Sequence, residues 1–219
     1  MRPKVILNCA ASADGKIALS NRQQLKLSNN EDFERVHLLR SKYDAILVGI
    51  GTIIEDNPAL TVDSKYESTL NPIRIVLDTK CRTPKNARIL DGKSKTILAI
   101  GEGTEPGPIQ NAEIIKCGTD EIDLPRLLKE LSNKGVKTIL VEGGETVMWS
   151  FLKNELFDEF NIFISSMIIG GKMTPTIAGG DGTLKIEEIL KLKLDDAQTL
   201  GDGILLTYSK SNNYREQSS

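Results

Sequence analysis

The sequence predicts an α/β protein with a mostly parallel central sheet, flanked by helices and finished by an antiparallel C-terminal hairpin. Two observations carry that prediction. Short runs rich in Val, Ile and Leu recur up to residue 143 with helical patterns between several of them, as strands buried on both faces require. After residue 157 the pattern changes to DEFNIFISSMIIGG, a loop TPTIAGGDG, and two apolar runs around a Gly-Asp-Gly turn. This stretch reads as added antiparallel strands.

The elements follow in order. KVILNCAA (residues 4–11) is the first strand; basic residues precede it, but Asn8 interrupts the apolar run, which is too short for a signal-peptide core. AILVGI (45–50), IRIVLD (73–78), TILAI (96–100), EIIKC (113–117) and TILVEG (138–143) are the further buried strands. NNEDFERVHLLRSK opens a helix with an Asn cap and acidic residues in its first turn, and DLPRLLKELSNKG opens one with an Asp cap and an early Pro. GETVMWSFLKNEL is a helix starting directly after a strand. In the first of these, Phe33, Val36, His37 and Arg40 share one face, so the side expected to be apolar carries a His and an Arg. An inward guanidinium requires an anion, either a structural carboxylate or a bound phosphate. His37 reads as a satisfied core or supporting histidine in preference to a base.

Composition narrows the function. Lys and Arg total 28 against 30 Asp and Glu, a net charge of −2, which provides no field to gather nucleic acid or an anionic membrane. The longest apolar stretches, 45–54 and 162–171, fall far short of the ~20 residues that span a bilayer. Cys9, Cys81 and Cys117 are widely spaced with no CxxC pair, which fits reduced thiols in the cytoplasm rather than a disulfide framework or a zinc site. His37 is the only histidine, and no HxE or PCxxC of a zinc deaminase occurs, so no metal is expected. A single domain over residues 1–210 is expected, with the polar, aperiodic 211–219 as a frayed tail.

Several segments could carry chemistry. VEGGET (141–146) sets Gly143 and Gly144 where a strand turns into a helix, leaving bare N–H groups for an anion. GIGT (49–52) does the same with Gly49 and Gly51, although the third glycine of a dinucleotide fingerprint is absent. Alone, each also reads as a tight turn that needs small residues. Lys80 and Arg82 in DTKCRTP follow an apolar strand, where the pair could hold a monophosphate or form a solvated turn. Asp56 and Glu142 border the glycine turns, fit to orient a polar substrate or move a proton. Asp14 and Gly15 form a turn that presents Lys16 near the end of the first strand.

Taken in order, SADGKIA (12–18), VHLLR (36–40), DAILVGIGTIIEDNPALT (44–61), NPIRIVLD (71–78) with TKCRTP after it, VEGGET (141–146) and IAGGDG (177–182) resemble the reductases of riboflavin biosynthesis. The resemblance implies a dihydrofolate-reductase-like fold, a homodimer, and NADPH-dependent reduction of the ribosyl group of a pyrimidine ribosylamine 5′-phosphate. With no deaminase domain, the chain looks like the standalone archaeal and fungal type, whose substrate keeps its 2-amino group. It further implies that Thr52, Asp56, Thr79, Lys80, Cys81, Arg82, Val141, Glu142, Gly143 and Gly144, with Gly49, Gly51, Glu145 and Thr146 of the same turns, form the NADPH site. Lys16, Ser28, Arg40, Asp56, Leu60 and Glu142 match substrate-contacting positions. One departure is Asp63, standing where fused bacterial members often carry a basic residue.

The chemistry suits these residues. A ribosylamine opens to an imine whose carbon takes hydride and whose nitrogen takes a proton, and alignment alone can supply about 7 kcal/mol. Asp56, Glu142 and Lys16 are the expected catalytic residues: Asp56 or Glu142 orients the substrate, and Lys16 with Arg40 neutralises its phosphate. Alternatives are dihydrofolate reductase itself and a non-catalytic NADP(H)-binding module.

Overall fold

The computed structural model describes residues 2–63, 65 and 71–211, so nearly all of the expected tail lies outside the described residues. The strands are β1 (Lys4–Ser12), β2 (Ala45–Gly49), β3 (Ile73–Leu77), β4 (Thr96–Ile100), β5 (Glu113–Lys116), β6 (Thr138–Gly143), β7 (Glu159–Ser165), β8 (Leu192–Leu200) and β9 (Gly203–Lys210). The helices are α1 (Asn30–Lys42), α2 (Ile50–Asp56), α3 (Leu124–Asn133) and α4 (Glu145–Lys153). All the strands join one sheet in the order β5-β4-β3-β2-β6-β1-β7-β9-β8. The chain moves outward from β2 to β5 and returns as β6 between β2 and β1. That return creates the reversal of strand order beside which α/β sheets bind ligands.

The six expected parallel strands form, and one expectation about direction is corrected. The apolar run after residue 157 reads as an added antiparallel strand, yet β7 runs parallel to β1 from Ile6↔Glu159 to Ser12↔Ser165. Among the described strands only β9 reverses, pairing antiparallel with both β7 and β8. The Gly201 turn, at φ +59°, folds β9 back so that it inserts between β7 and β8.

Alternation along the central strands splits the core. Val5, Leu7, Ala45, Leu47, Ile139 and Val141 pack with Leu127, Leu131, Phe151 and Leu152 of α3 and α4 on one face. Ile46, Val48, Val76 and Leu98 pack with Ile53 of α2 and with Ile89 on the other. α1 supplies no residue to either cluster, and what it buries is polar, Asp32 and His37. The mixed face noticed in the sequence therefore does not point at a core: Phe33, Val36, His37 and Arg40 all line a cleft.

Candidate active site

The cleft opens along the carboxyl edge of the sheet, where β3, β2, β6 and β1 end side by side. β2 ends at Gly49 and passes into α2, while β6 ends at Gly143 and passes through Gly144 into α4. The Gly143–Gly144 peptide is cis and Gly143 sits at φ +108°. A β-carbon on Gly49 would lie 2.8 Å from Val147 Cγ2, so the glycine is what lets the first turn of α4 approach β2. α1 and α3 are capped by Asn29 and Asp123, each accepting from a backbone N–H, but Gly144 offers α4 no side chain. The first-turn donors of α4 consequently keep their hydrogen-bonding capacity for a ligand.

The cleft has a volume of about 1160 Å³. Its wall brings together Gly49, Gly51, Thr52, Asp56, Thr79, Lys80, Arg82, Glu142, Gly143, Gly144, Glu145 and Thr146 with Ser28 and Arg40. Leu60 lies in an adjoining pocket of about 180 Å³ that shares Ser28, Arg40, Thr52, Asp56 and Glu142 with it. Three expected residues are not on either wall. Val141 is fully buried in the sheet. Cys81, at φ +53°, gives its N–H to the Asp78 carbonyl and packs against the core under the turn. Lys16 is held by its backbone, donating to Ser12 Oγ and accepting from Ser12 N, and Ile17 and Ala18 reach the cleft in its place.

Arg40 finds its anion inside the protein. Its Nε and Nη2 donate to Glu142 Oε1 and Oε2 at 2.9 and 2.8 Å, a two-point pair with side chains only 21% and 10% exposed. Glu142 can be reached because the β2–β6 ladder steps from Leu47↔Val141 to Val48↔Gly143, leaving Glu142 as the extra residue of a bulge. Such a bulge re-aims a side chain that the regular pleat would bury. In this structure the Arg40 fork is engaged by Glu142, and Lys16 is not among the residues lining the cleft.

Asp56 is the last residue of α2, half-buried at the cleft. Burial, and then the neighbouring Glu55, push its carboxyl above the usual carboxylate range. His37 Nδ1 accepts from Asp63 N–H at 3.3 Å, and its ring lies 4.6 Å from Phe33. Burial, and then Arg40, hold its pKa below the ordinary value, which suits the supporting role expected of it. The Glu145 carboxylate accepts from Arg22 Nη2 and Thr176 N–H, and Gly179 N–H donates to its carbonyl. Glu145 thus ties the IAGGDG segment to the start of α4.

Two aspartates act as turn anchors, Asp78 under the Lys80–Arg82 turn and Asp14, whose turn the sequence shows but not its partners. Asp78, fully buried, accepts from Arg82 N–H, Thr83 N–H and Thr83 Oγ1, fixing the turn that displays Lys80 and Arg82. Asp14 accepts from Ser12 Oγ and from the N–H groups of Ile169 and Gly170, chiefly the first of which lowers its pKa to about 2. The signal available was an acidic residue immediately after a strand, which in the sequence alone is indistinguishable from a solvated turn.

Comparison with known proteins gives the family. The family described as RibD C-terminal domain matches residues 3–206. A 2,5-diamino-6-ribosylamino-4(3H)-pyrimidinone 5′-phosphate reductase from Methanothermobacter thermautotrophicus is 37% identical over 214 residues, covering 95% of this chain and 99% of that protein. The protein of the same name from Archaeoglobus fulgidus is 37% identical over 219 residues, covering 94% and 98%. Among solved structures, a diaminohydroxyphosphoribosylaminopyrimidine deaminase/5-amino-6-(5-phosphoribosylamino)uracil reductase from Thermotoga maritima matches at TM-score 0.81 and 28% identity. That match covers 96% of this chain and 57% of the Thermotoga chain. The chain belongs to the RibD C-terminal domain family, the reductases of riboflavin biosynthesis.

Proposed function

We propose that this chain, acting through one domain of residues 1–210, reduces the ribosyl group of 2,5-diamino-6-ribosylamino-4(3H)-pyrimidinone 5′-phosphate to the ribityl group with NADPH. The observation that carries the reading is the order of groups along one sheet edge. Lys80 and Arg82 stand beyond β3, the uncapped start of α4 beyond β6, and Asp56 and the Arg40–Glu142 pair share the same cleft. A volume of about 1160 Å³ exceeds the roughly 300–1,000 Å³ usual for one small ligand and suits a dinucleotide and a substrate together.

The residues present fit a nicotinamide dinucleotide. The open first turn of α4 and its dipole favour a pyrophosphate, the Gly49 contact keeps that turn against the sheet, and exposed Lys80 and Arg82 suit a 2′-phosphate. When bound, such a cofactor supplies hydride. The chain's own part is to align the substrate, exclude water and deliver a proton to the ribosylamine nitrogen as its carbon is reduced. Asp56 holds that proton. The Arg40–Glu142 pair forms a fixed polar wall against which the substrate orients.

The test follows nicotinamide absorbance with the diamino ribosylamine phosphate, and beside it dihydrofolate. Turnover of the first alone is expected, and turnover of dihydrofolate alone overturns the reading. Replacing both Lys80 and Arg82 with Ala is expected to raise KM for NADPH by more than about tenfold and to leave KM for NADH unchanged. Equal changes for the two cofactors would remove the 2′-phosphate assignment.

A second copy of this chain is the proposed partner, and the cytoplasm, which suits three free thiols, the proposed location. Leu184, Ile186, Met173 and Ile168 are 93%, 85%, 82% and 75% exposed, an apolar display that a second copy would cover. Light scattering is expected to give twice the chain mass, and Ile186→Asp to give the single-chain mass.

A further inference from the structure

We infer that Asp32, by holding the hydroxyl proton of Ser28, makes the adjoining pocket select a ring that carries an amino group and reject the same ring carrying an oxo group there. This rests on the pyrimidine reduction proposed above and adds to it the residue that sets the choice. Ser28 Oγ donates to Asp32 Oδ2 at 2.5 Å. Asp32 Oδ1 accepts from Arg35 Nε at 2.8 Å, and Arg35 Nη2 donates to Asn8 Oδ1 at 2.7 Å. The backbone at Asp32 is fixed too, its N–H capped by Asn29 Oδ1.

The polarity of this chain of hydrogen bonds runs one way. Arg35 has only donors, and a carboxylate paired with it has only acceptors, so the single proton of the Ser28 hydroxyl is committed to Asp32. What Ser28 offers the pocket is lone pairs. Asp32 is 1% exposed and Arg35 17%, so water is poorly placed to relieve a mismatch. Ser28 and Asp32 line the pocket together with Arg40, Asp56, Leu60 and Glu142. Its volume of about 180 Å³ suits one six-membered ring, since a cavity of about 150 Å³ holds benzene.

A ring amino group set against Ser28 Oγ donates to it. A ring oxygen in the same place meets lone pairs with no proton between them, and both acceptors lose their partners. A site built to satisfy one hydrogen-bonding pattern discriminates in this way against an analogue of nearly equal size. A purely structural Asp32 would only hold the first turn of α1 and would not distinguish two rings.

The experiment compares kcat/KM for the diamino ribosylamine phosphate and its deaminated, oxo-bearing counterpart in wild type, Ser28→Ala and Asp32→Asn. The wild type is expected to favour the amino ring by about 100-fold. Ser28→Ala removes the acceptor and is expected to reduce that ratio to about tenfold or less. Asp32→Asn turns an amide donor toward Ser28, freeing the hydroxyl to donate to an oxo group, and is expected to reduce the ratio as far or further. A wild-type ratio retained in Ser28→Ala overturns the inference whether or not Asp32→Asn folds, and so does equal use of both rings by the wild type. Turnover of neither ring by the wild type overturns the proposed function and this inference together.

Discussion

Asp56→Asn is expected to lower kcat by about 100-fold while leaving the dissociation constant for NADPH within about twofold, as a positioned proton donor contributes roughly that factor. Asn keeps the size and polarity of the side chain but has no proton to yield, so ligand binding survives and the chemical step does not. The carboxyl is suited to the role because burial and Glu55 raise its pKa. That shift keeps a larger fraction protonated near neutral pH than an exposed aspartate would hold. The sign of the pH dependence follows. The protonated form is the competent one, so kcat is level below the raised pKa and falls as pH increases through it. In Asp56→Asn that falling limb disappears, since the group that titrates has gone. Rapid-mixing measurement of the hydride step across pH reads both effects. A full-sized kcat in Asp56→Asn, or the same falling limb, would remove Asp56 as the donor.

How much of this was legible in the sequence depends on whether the deciding interaction is local. The parallel strands were legible because burial on both faces demands unbroken apolar runs such as TILAI and TILVEG. The caps Asn29 and Asp123 were legible because capping acts within one turn. The direction of β7 was not, since FNIFIS reads alike in either sense and its parallel pairing with β1 after the α4 crossover decides. Arg40 announced by its place on α1 that it needed an anion, but Glu142 lies 102 residues away and is aimed at it by a bulge. Bulges depend on the partner strand, which the local sequence does not name. Lys16 lies in the turn the sequence indicates, with hydrogen bonds to Ser12 that set the backbone so that Ile17 and Ala18 line the cleft, and those bonds are not legible in the local sequence. Asp78 and Asp14 look like any polar turn residue until the donors that converge on them are seen.

The Arg40–Glu142 pair offers the largest expected change in stability. Glu142→Gln leaves a guanidinium with two donors facing one oxygen and one amide N–H₂, so a donor opposes a donor and a mostly buried charge loses its counter-charge. Removing one partner of a buried pair costs about 3–5 kcal/mol. With Arg40 21% exposed and some solvent relief, the lower end applies, about 3 kcal/mol. For a chain of this size that is a fall in Tm of on the order of 10 °C. Replacing Arg40 with Met as well removes the stranded charge, so the double variant Arg40→Met with Glu142→Gln is expected to melt above Glu142→Gln alone. Calorimetry on the wild type, the two single variants and the double variant measures the coupling directly. Its sign separates two roles for the pair. A double variant that regains Tm but not kcat makes the pair a wall kept for the substrate at the expense of stability, which a hydrophobic replacement relieves. A double variant that is as unstable as the sum of the singles would mean that the two side chains act separately, and that the bulge at Glu142 is held by something other than Arg40.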